Sequence, residues 1–174
     1  MPIVYTLAGL SGLSQPDFVA ALGDLYEHSP WVAQGAWAAR PFASIDDLLA
    51  ALSHTMRSAT PAQQLALIRA HPELAGRAAV RGELTAHSTS EQHGAGLDQC
   101  SPQEFAQIQR LNSAWQHKFG FPFVIAVHGL DRAAIIARME QRMTQDLPAE
   151  KAEALEQIDR IAALRLTRKL MPPD

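Results

Sequence analysis

The sequence is poor in the residues on which several classes of protein depend. Its 174 residues include one cysteine, Cys100, which excludes an intrachain disulfide framework and fits a reducing compartment. No apolar run approaches the roughly 20 residues of a membrane-spanning helix. The first ten residues lack the basic start and long apolar core of a signal peptide. We therefore expect a soluble, cytoplasmic protein with no membrane partner.

An excess of positive charge is also absent. The 15 basic residues face 18 acidic ones, for a net charge of -3, which argues against nucleic acid as a partner. The hydrophobic fraction of 47% is ordinary for a globular protein and argues against disorder. A chain of this length can bury about 70% of its unfolded surface. Because no linker or repeat interrupts it, we predict a single domain over residues 1–174.

The sequence has no recognisable metal or cofactor motif. None of its seven histidines is four residues from another, and Cys100 has no second cysteine with which to form a zinc site. No G-x-G-x-x-G or Walker pattern is present. We therefore expect neither a metal nor an organic cofactor.

What the chain does contain is a regular series of helix signals. Capping residues precede amphipathic stretches throughout, and prolines interrupt them. These signals predict an all-α bundle of about eight helices. The expected helix starts are Ser14, Trp31, Ser44, Thr60, Ser88, Ser101, Asp131 and Pro148. The first helix is expected to extend as far as Pro30, and residues 77–87 to form an exposed loop.

One segment does not fit the helical pattern. Residues 121–127 (FPFVIAV) are aromatic and β-branched, which favours a strand. No comparable segment is available to pair with it. We therefore predict a buried, irregular segment within the all-α fold.

Three polar residues stand out, and each has a structural alternative. His71 closes a helix before Pro72, where an imidazole can cap the last carbonyls. Glu91 occupies the third position of a capping box begun by Ser88. Arg165 lies in an apolar turn, where it can form a structural salt bridge or direct its charge into a pocket. The pattern alone does not bring the three together.

Taken in order, several blocks resemble the family of 2-oxo-4-hydroxy-4-carboxy-5-ureidoimidazoline (OHCU) decarboxylases of uric acid degradation. They are HPELA, S-x-x-E-Q-x-x-A-G-L-D and KFGFPFVIA, beginning at His71, Ser88 and Lys118. Further matching stretches are residues 26–44 and 161–166. The resemblance implies an all-α homodimer that converts OHCU to (S)-allantoin without metal or organic cofactor. A non-catalytic, ureide-binding module on the same scaffold is one alternative, and a different ring-opening or isomerising enzyme that acts on a related ureide is another.

The resemblance also implies site residues. The catalytic positions fall on His71, Glu91 and Arg165. The substrate-binding positions fall on Pro72, Ser88, Thr89, Ser90, Glu91, Gln92, Phe123, Val124, Ile125, Ala126 and Val127. The sequence departs from the family pattern at Trp115, where tyrosine is usual, and at His128, where a basic residue is common. These departures put details of substrate contact in doubt more than the activity itself.

Overall fold

The computed structural model describes residues 3–170, and the secondary structure of this part is helical. Ten α-helices occur within these residues, together with short 3-10 turns at Trp37–Ala39 and Leu97–Gln99. The helices are α1 Leu7–Gly12, α2 Gln15–Leu22, α3 Trp31–Ala36, α4 Ile45–Arg57, α5 Pro61–Ala70, α6 Arg77–Arg81, α7 Ala86–Gly94, α8 Pro102–Phe119, α9 Arg132–Arg142 and α10 Leu147–Lys169. The all-α prediction is confirmed, with two more helices than expected.

Most of the predicted helix starts are found where the capping residues placed them. The side chains of Ser14, Ser44, Ser101 and Asp131 each accept a hydrogen bond from a backbone N–H three residues later. Thr60 accepts from the Gln63 N–H in the same way, at 3.2 Å. Local hydrogen bonding therefore fixes these helix starts, so they could be predicted from the sequence.

The end of the first predicted helix and the loop predicted at residues 77–87 were predicted incorrectly. Helix α2 ends at Leu22 and does not continue to Pro30. The Val19 carbonyl oxygen approaches Gly23 so closely that a Cβ on residue 23 would lie only 2.5 Å from it. Residues 77–87 are not one loop, because Arg77–Arg81 forms α6 and Gly82, at φ 69°, ends it.

The chain divides into two compact units. The first comprises residues 1–70 and 159–174, and the second residues 71–158. In the first unit α3 packs against α4 and α2. Its interior includes Phe18, Val32, Leu48, Leu52 and Met56, none of which is appreciably exposed.

The second unit contains α6 to α9 and the first half of α10. Its core is an aromatic cluster around Trp115, whose ring centroid lies 4.6 Å from that of Phe119 and 4.8 Å from that of Phe123. Phe121 stacks on Phe119 at 5.9 Å. Phe121 and Phe123 come from the predicted irregular segment, so that segment supplies part of this core.

No helix within residues 3–170 is long and apolar enough to cross a membrane. The prediction of one domain over residues 1–174 stays a prediction.

Candidate active site

His71 lies directly after the last residue of α5 and is 7% exposed. Pro72 follows it, and because proline disfavours helical geometry in the preceding residue, α5 ends where the sequence predicted. His71 is the first residue of the second unit.

The loop after His71 is held by three amide side chains. The Gln92 Oε1 accepts from the Ala75 N–H at 3.0 Å, Asn112 Nδ2 donates to the Leu74 carbonyl at 3.0 Å, and Gln109 Nε2 donates to the Ala75 carbonyl at 2.7 Å. Ala75 adopts a φ of 48°, which is rare for a residue with a Cβ. Such backbone strain persists only where the surroundings fix it, and these bonds do so.

Glu91 lies on α7, which begins one turn earlier than the sequence predicted. Thr85 caps this helix by accepting from the Ser88 N–H at 3.2 Å. The predicted capping box of Ser88 and Glu91 is therefore wrong, because the Thr85 hydroxyl already satisfies the first turn. Glu91 is left as a mid-helix, half-buried carboxylate.

The five predicted substrate-binding residues of α7 do not share one face. Ser88, Glu91 and Gln92 have the spacing that places side chains together on a helix. Ser88 is 4% exposed and Gln92 6% exposed, whereas Thr89 and Ser90 are exposed. The helix thus groups three of the five and directs the other two elsewhere. The Thr89 hydroxyl donates to the Thr85 carbonyl of its own helix, at 2.9 Å.

Residues 121–127 form an extended segment without regular secondary structure, as predicted. Phe123, Val124, Ile125 and Val127 are each no more than 9% exposed. Arg142 donates to the Val124 carbonyl at 2.9 Å, and the Ala126 N–H donates to Gln157 Oε1 at 3.0 Å. Between these two anchored groups, the Ile125 N–H and C=O form no hydrogen bond within residues 3–170. They are a donor and an acceptor available to a ligand.

Arg165 belongs to the first unit and is 1% exposed. Its guanidinium lies 2.8 Å from the carboxylate of Glu27, which is equally buried. The structural salt bridge, which was one of the two alternatives for Arg165, is therefore present. His71, Glu91 and residues 123–127 belong to the second unit.

A cavity of about 530 Å³ lies in the second unit. It is bordered by Thr89, Gln92 and His93 of α7, the first two of which are predicted substrate-binding residues, and by apolar side chains that include Val80 and Phe105. Burial, together with the nearby Glu104 carboxylate, raises the pKa of the Cys100 thiol at its edge. A raised thiol pKa opposes nucleophilic reactivity.

Several buried polar residues were not predicted from the sequence. Glu27, Arg142, Glu150 and Gln157 are each 6% exposed or less. For Glu27 a usable signal was present, since Arg165 lies in an apolar stretch and a buried arginine is favourable only when it is paired. Which carboxylate serves it depends on contacts between residues distant in the sequence. Within residues 3–170 no group of three or more potential metal ligands comes together.

The chain is similar to known proteins over most of its length. A profile of the OHCU decarboxylase family matches residues 11–167. The chain is 41% identical to the 2-oxo-4-hydroxy-4-carboxy-5-ureidoimidazoline decarboxylase of Halalkalicoccus jeotgali, over 97% of this chain and 94% of that protein. It is 42% identical to the corresponding decarboxylase of Haloferax volcanii, over 94% of this chain and 95% of that protein.

A solved structure is similar as well. The crystal structure of an (S)-allantoin synthase superposes with a TM-score of 0.76 at 26% identity, over 95% of this chain. The chain spans about half of that crystallised protein, 54% of its length.

Proposed function

The chain belongs to the OHCU decarboxylase family, and from this premise we propose how its residues carry out the decarboxylation. The activity is the conversion of OHCU to allantoin and carbon dioxide in uric acid degradation. The observation that carries the residue assignment is a buried histidine at a helix end, in the same unit as a half-buried glutamate and an irregular segment with unused backbone groups.

The substrate contains its own electron sink. Its carboxylate is attached to a ring carbon that also bears a hydroxyl, and the adjacent ring carbon is part of an imine. When the bond to CO₂ breaks, its electron pair forms a carbon–carbon double bond, and the imine nitrogen takes up a proton. The resulting enol loses its hydroxyl proton while the neighbouring carbon gains one, which gives the S enantiomer when protonation occurs on one face. The imine of the substrate therefore accepts the electron pair that an organic cofactor accepts in other decarboxylases.

We propose that His71 is the general acid and base for these proton transfers, and that Glu91 orients the imidazole or the substrate hydroxyl. General acid–base catalysis needs a group within hydrogen-bond reach of the moving proton. The burial of His71 supports this role, because a fixed imidazole shielded from water holds a defined direction. Pro72, Ser88, Gln92 and residues 123–127 are proposed to line the substrate, with Thr89 and Ser90 contributing less because they are exposed.

Arg165 is proposed to bind a ring or ureido oxygen of the substrate. A contact with the departing carboxylate would stabilise the ground state and oppose the reaction. A contact with an oxygen that gains negative charge would stabilise the transition state.

A coupled assay tests the function. OHCU is generated from urate with urate oxidase and hydroxyisourate hydrolase, the protein is added, and circular dichroism follows the formation of optically active allantoin. We expect the protein to accelerate this formation well above the spontaneous rate. No acceleration would contradict the proposed activity.

The role of His71 is tested by His71→Asn in the same assay. Loss of the acid–base group is expected to lower kcat by about 10²–10⁴-fold with the far-UV spectrum unchanged. His117→Asn is the matched control, because His117 is an exposed histidine of the same unit. Full activity of the His71 variant would overturn the assignment.

We also propose that the enzyme is a cytoplasmic homodimer. The family resemblance supports the dimer, and the single cysteine supports a reducing compartment.

A further inference from the structure

The irregular segment at residues 123–127 is held from outside by two side chains. In helices and sheets the backbone groups form hydrogen bonds with one another, but this segment has no such regular set of backbone hydrogen bonds. Arg142, at the end of α9, donates to the Val124 carbonyl at 2.9 Å. Gln157, on α10, accepts from the Ala126 N–H at 3.0 Å. The two contacts lie on either side of Ile125, whose N–H and C=O bond to no other group within residues 3–170.

Arg142 is itself fixed from several directions. Its Nε donates to Glu150 Oε2 at 3.2 Å, and its Nη2 donates to the other carboxylate oxygen. The guanidinium also lies 4.5 Å from the ring centroid of Phe123 and 5.8 Å from that of Trp115. A rigid planar fork can serve a carboxylate, a carbonyl and an aromatic face at once, which an ammonium group cannot.

Gln157 is oriented by a second bond. Its Nε2 donates to Glu153 Oε1 at 2.9 Å, which leaves its Oε1 as the acceptor for the Ala126 N–H. Gln157 is 6% exposed, so water competes little for this contact.

Stability alone is a poor explanation for the buried charge pair of Arg142 and Glu150. Arg142 is 6% exposed and Glu150 is fully buried. Removing two charges from water costs several kcal/mol each, and well-packed apolar residues often serve stability equally well. What an apolar pair cannot do is donate a hydrogen bond to the Val124 carbonyl.

We propose that Arg142 and Gln157 are positioning residues, which hold the peptide groups around Ile125 in the geometry that binds the substrate. This inference rests on the proposed function, in which residues 123–127 contact the substrate. Neither residue touches the reacting atoms, and both act through the backbone that they anchor. A segment fixed before binding does not have to be ordered by the ligand, which improves affinity.

The test uses Gln157→Leu and Arg142→Lys in the coupled assay. Gln157→Leu keeps a similar size but removes the acceptor, and Arg142→Lys keeps the charge but removes the fork. We expect each to raise KM by about tenfold, the effect of losing one well-formed hydrogen bond and its preorganisation. The pH profile of kcat should stay that of the wild type, because His71 and Glu91 are untouched. Amide exchange at Ala126 should accelerate in the Gln157 variant.

A control and a rescue separate positioning from general structure. Arg132→Lys alters a similar arrangement in the same unit, away from residues 123–127. Arg132 donates hydrogen bonds to Glu104 at 2.8 Å and to the Gly96 carbonyl at 3.0 Å. The Arg132 variant should leave KM unchanged. Gln157→Glu alone places a second carboxylate beside Glu153 and should raise KM. Adding Glu153→Gln exchanges donor and acceptor between the two positions, and it should restore KM toward the wild-type value.

The outcomes are distinct. If the wild type does not accelerate allantoin formation, the proposed function fails. If the wild type is active and both variants keep its KM, the positioning role is wrong. The same holds if their KM values rise only as much as that of Arg132→Lys, or only together with a matching loss of Tm. A rise in KM with little change in Tm, reversed by the exchange, supports the proposal.

Discussion

At the scale of the residue, the buried pair of Arg165 and Glu27 shows how much depends on one contact. Each side chain is 2% exposed or less, and their charged atoms lie 2.8 Å apart. Removing one member of such a pair leaves an uncompensated charge, which typically costs about 3–5 kcal/mol. A substitution that keeps the charge is therefore the informative one.

We predict that Arg165→Lys keeps the fold but raises KM by about tenfold or more. Lysine preserves the positive charge beside Glu27, whereas it loses the planar set of donors that we propose binds a substrate oxygen. The coupled assay and thermal unfolding measure the two effects separately. Wild-type KM and kcat in this variant would leave Arg165 with the structural salt bridge alone.

At the scale of the element, the N-terminus of α8 combines a capping box with a salt bridge to α9. Ser101 and Glu104 form a capping box, in which each side chain accepts a backbone N–H of the other residue. Glu104 also accepts from Arg132 Nε on α9, at 2.8 Å. The hydrogen bond from Arg132, followed by that from the Ser101 N–H, lowers the pKa of the Glu104 carboxyl.

This lowered pKa makes a prediction about acid stability. A carboxyl with a depressed pKa in the folded state stabilises above its unfolded pKa and loses that contribution as the pH falls through its folded pKa. Glu104→Gln keeps the capping box but removes the charge. We expect the variant to be less stable than the wild type in urea at pH 7, and the difference to disappear in strong acid.

The exposed carboxylate of Glu83 provides the comparison for that experiment. Glu83→Gln should show no such pH-dependent difference. A gap between the wild type and the Glu104 variant that stays constant from pH 7 into strong acid would contradict the assigned cause.

At the scale of the whole molecule, the prediction concerns assembly. The family resemblance implies a homodimer, and we predict that sedimentation equilibrium gives about twice the 19.0 kDa mass of one chain. The measurement should cover a range of concentrations that includes those used in the activity assay. A mass of one chain throughout, in a preparation that is fully active, would contradict the dimer.

The sequence by itself determined the helical class, most helix starts and the irregular segment. These features depend on bonds between near neighbours, such as the Ser101 cap, and on local composition, such as the β-branched residues Val124, Ile125 and Val127. The start of α7 was the exception, because Thr85 and Ser88 are both competent caps and the helix uses the earlier one.

Only the tertiary structure decided which distant groups serve one another. Glu27 meets Arg165 across more than 130 residues, and Gln157 meets the Ala126 backbone across 31. Several carboxylates and amides in the sequence are chemically able to fill each role. Burial selects among them, because a polar group removed from water must find its partner where the packing of the core places one.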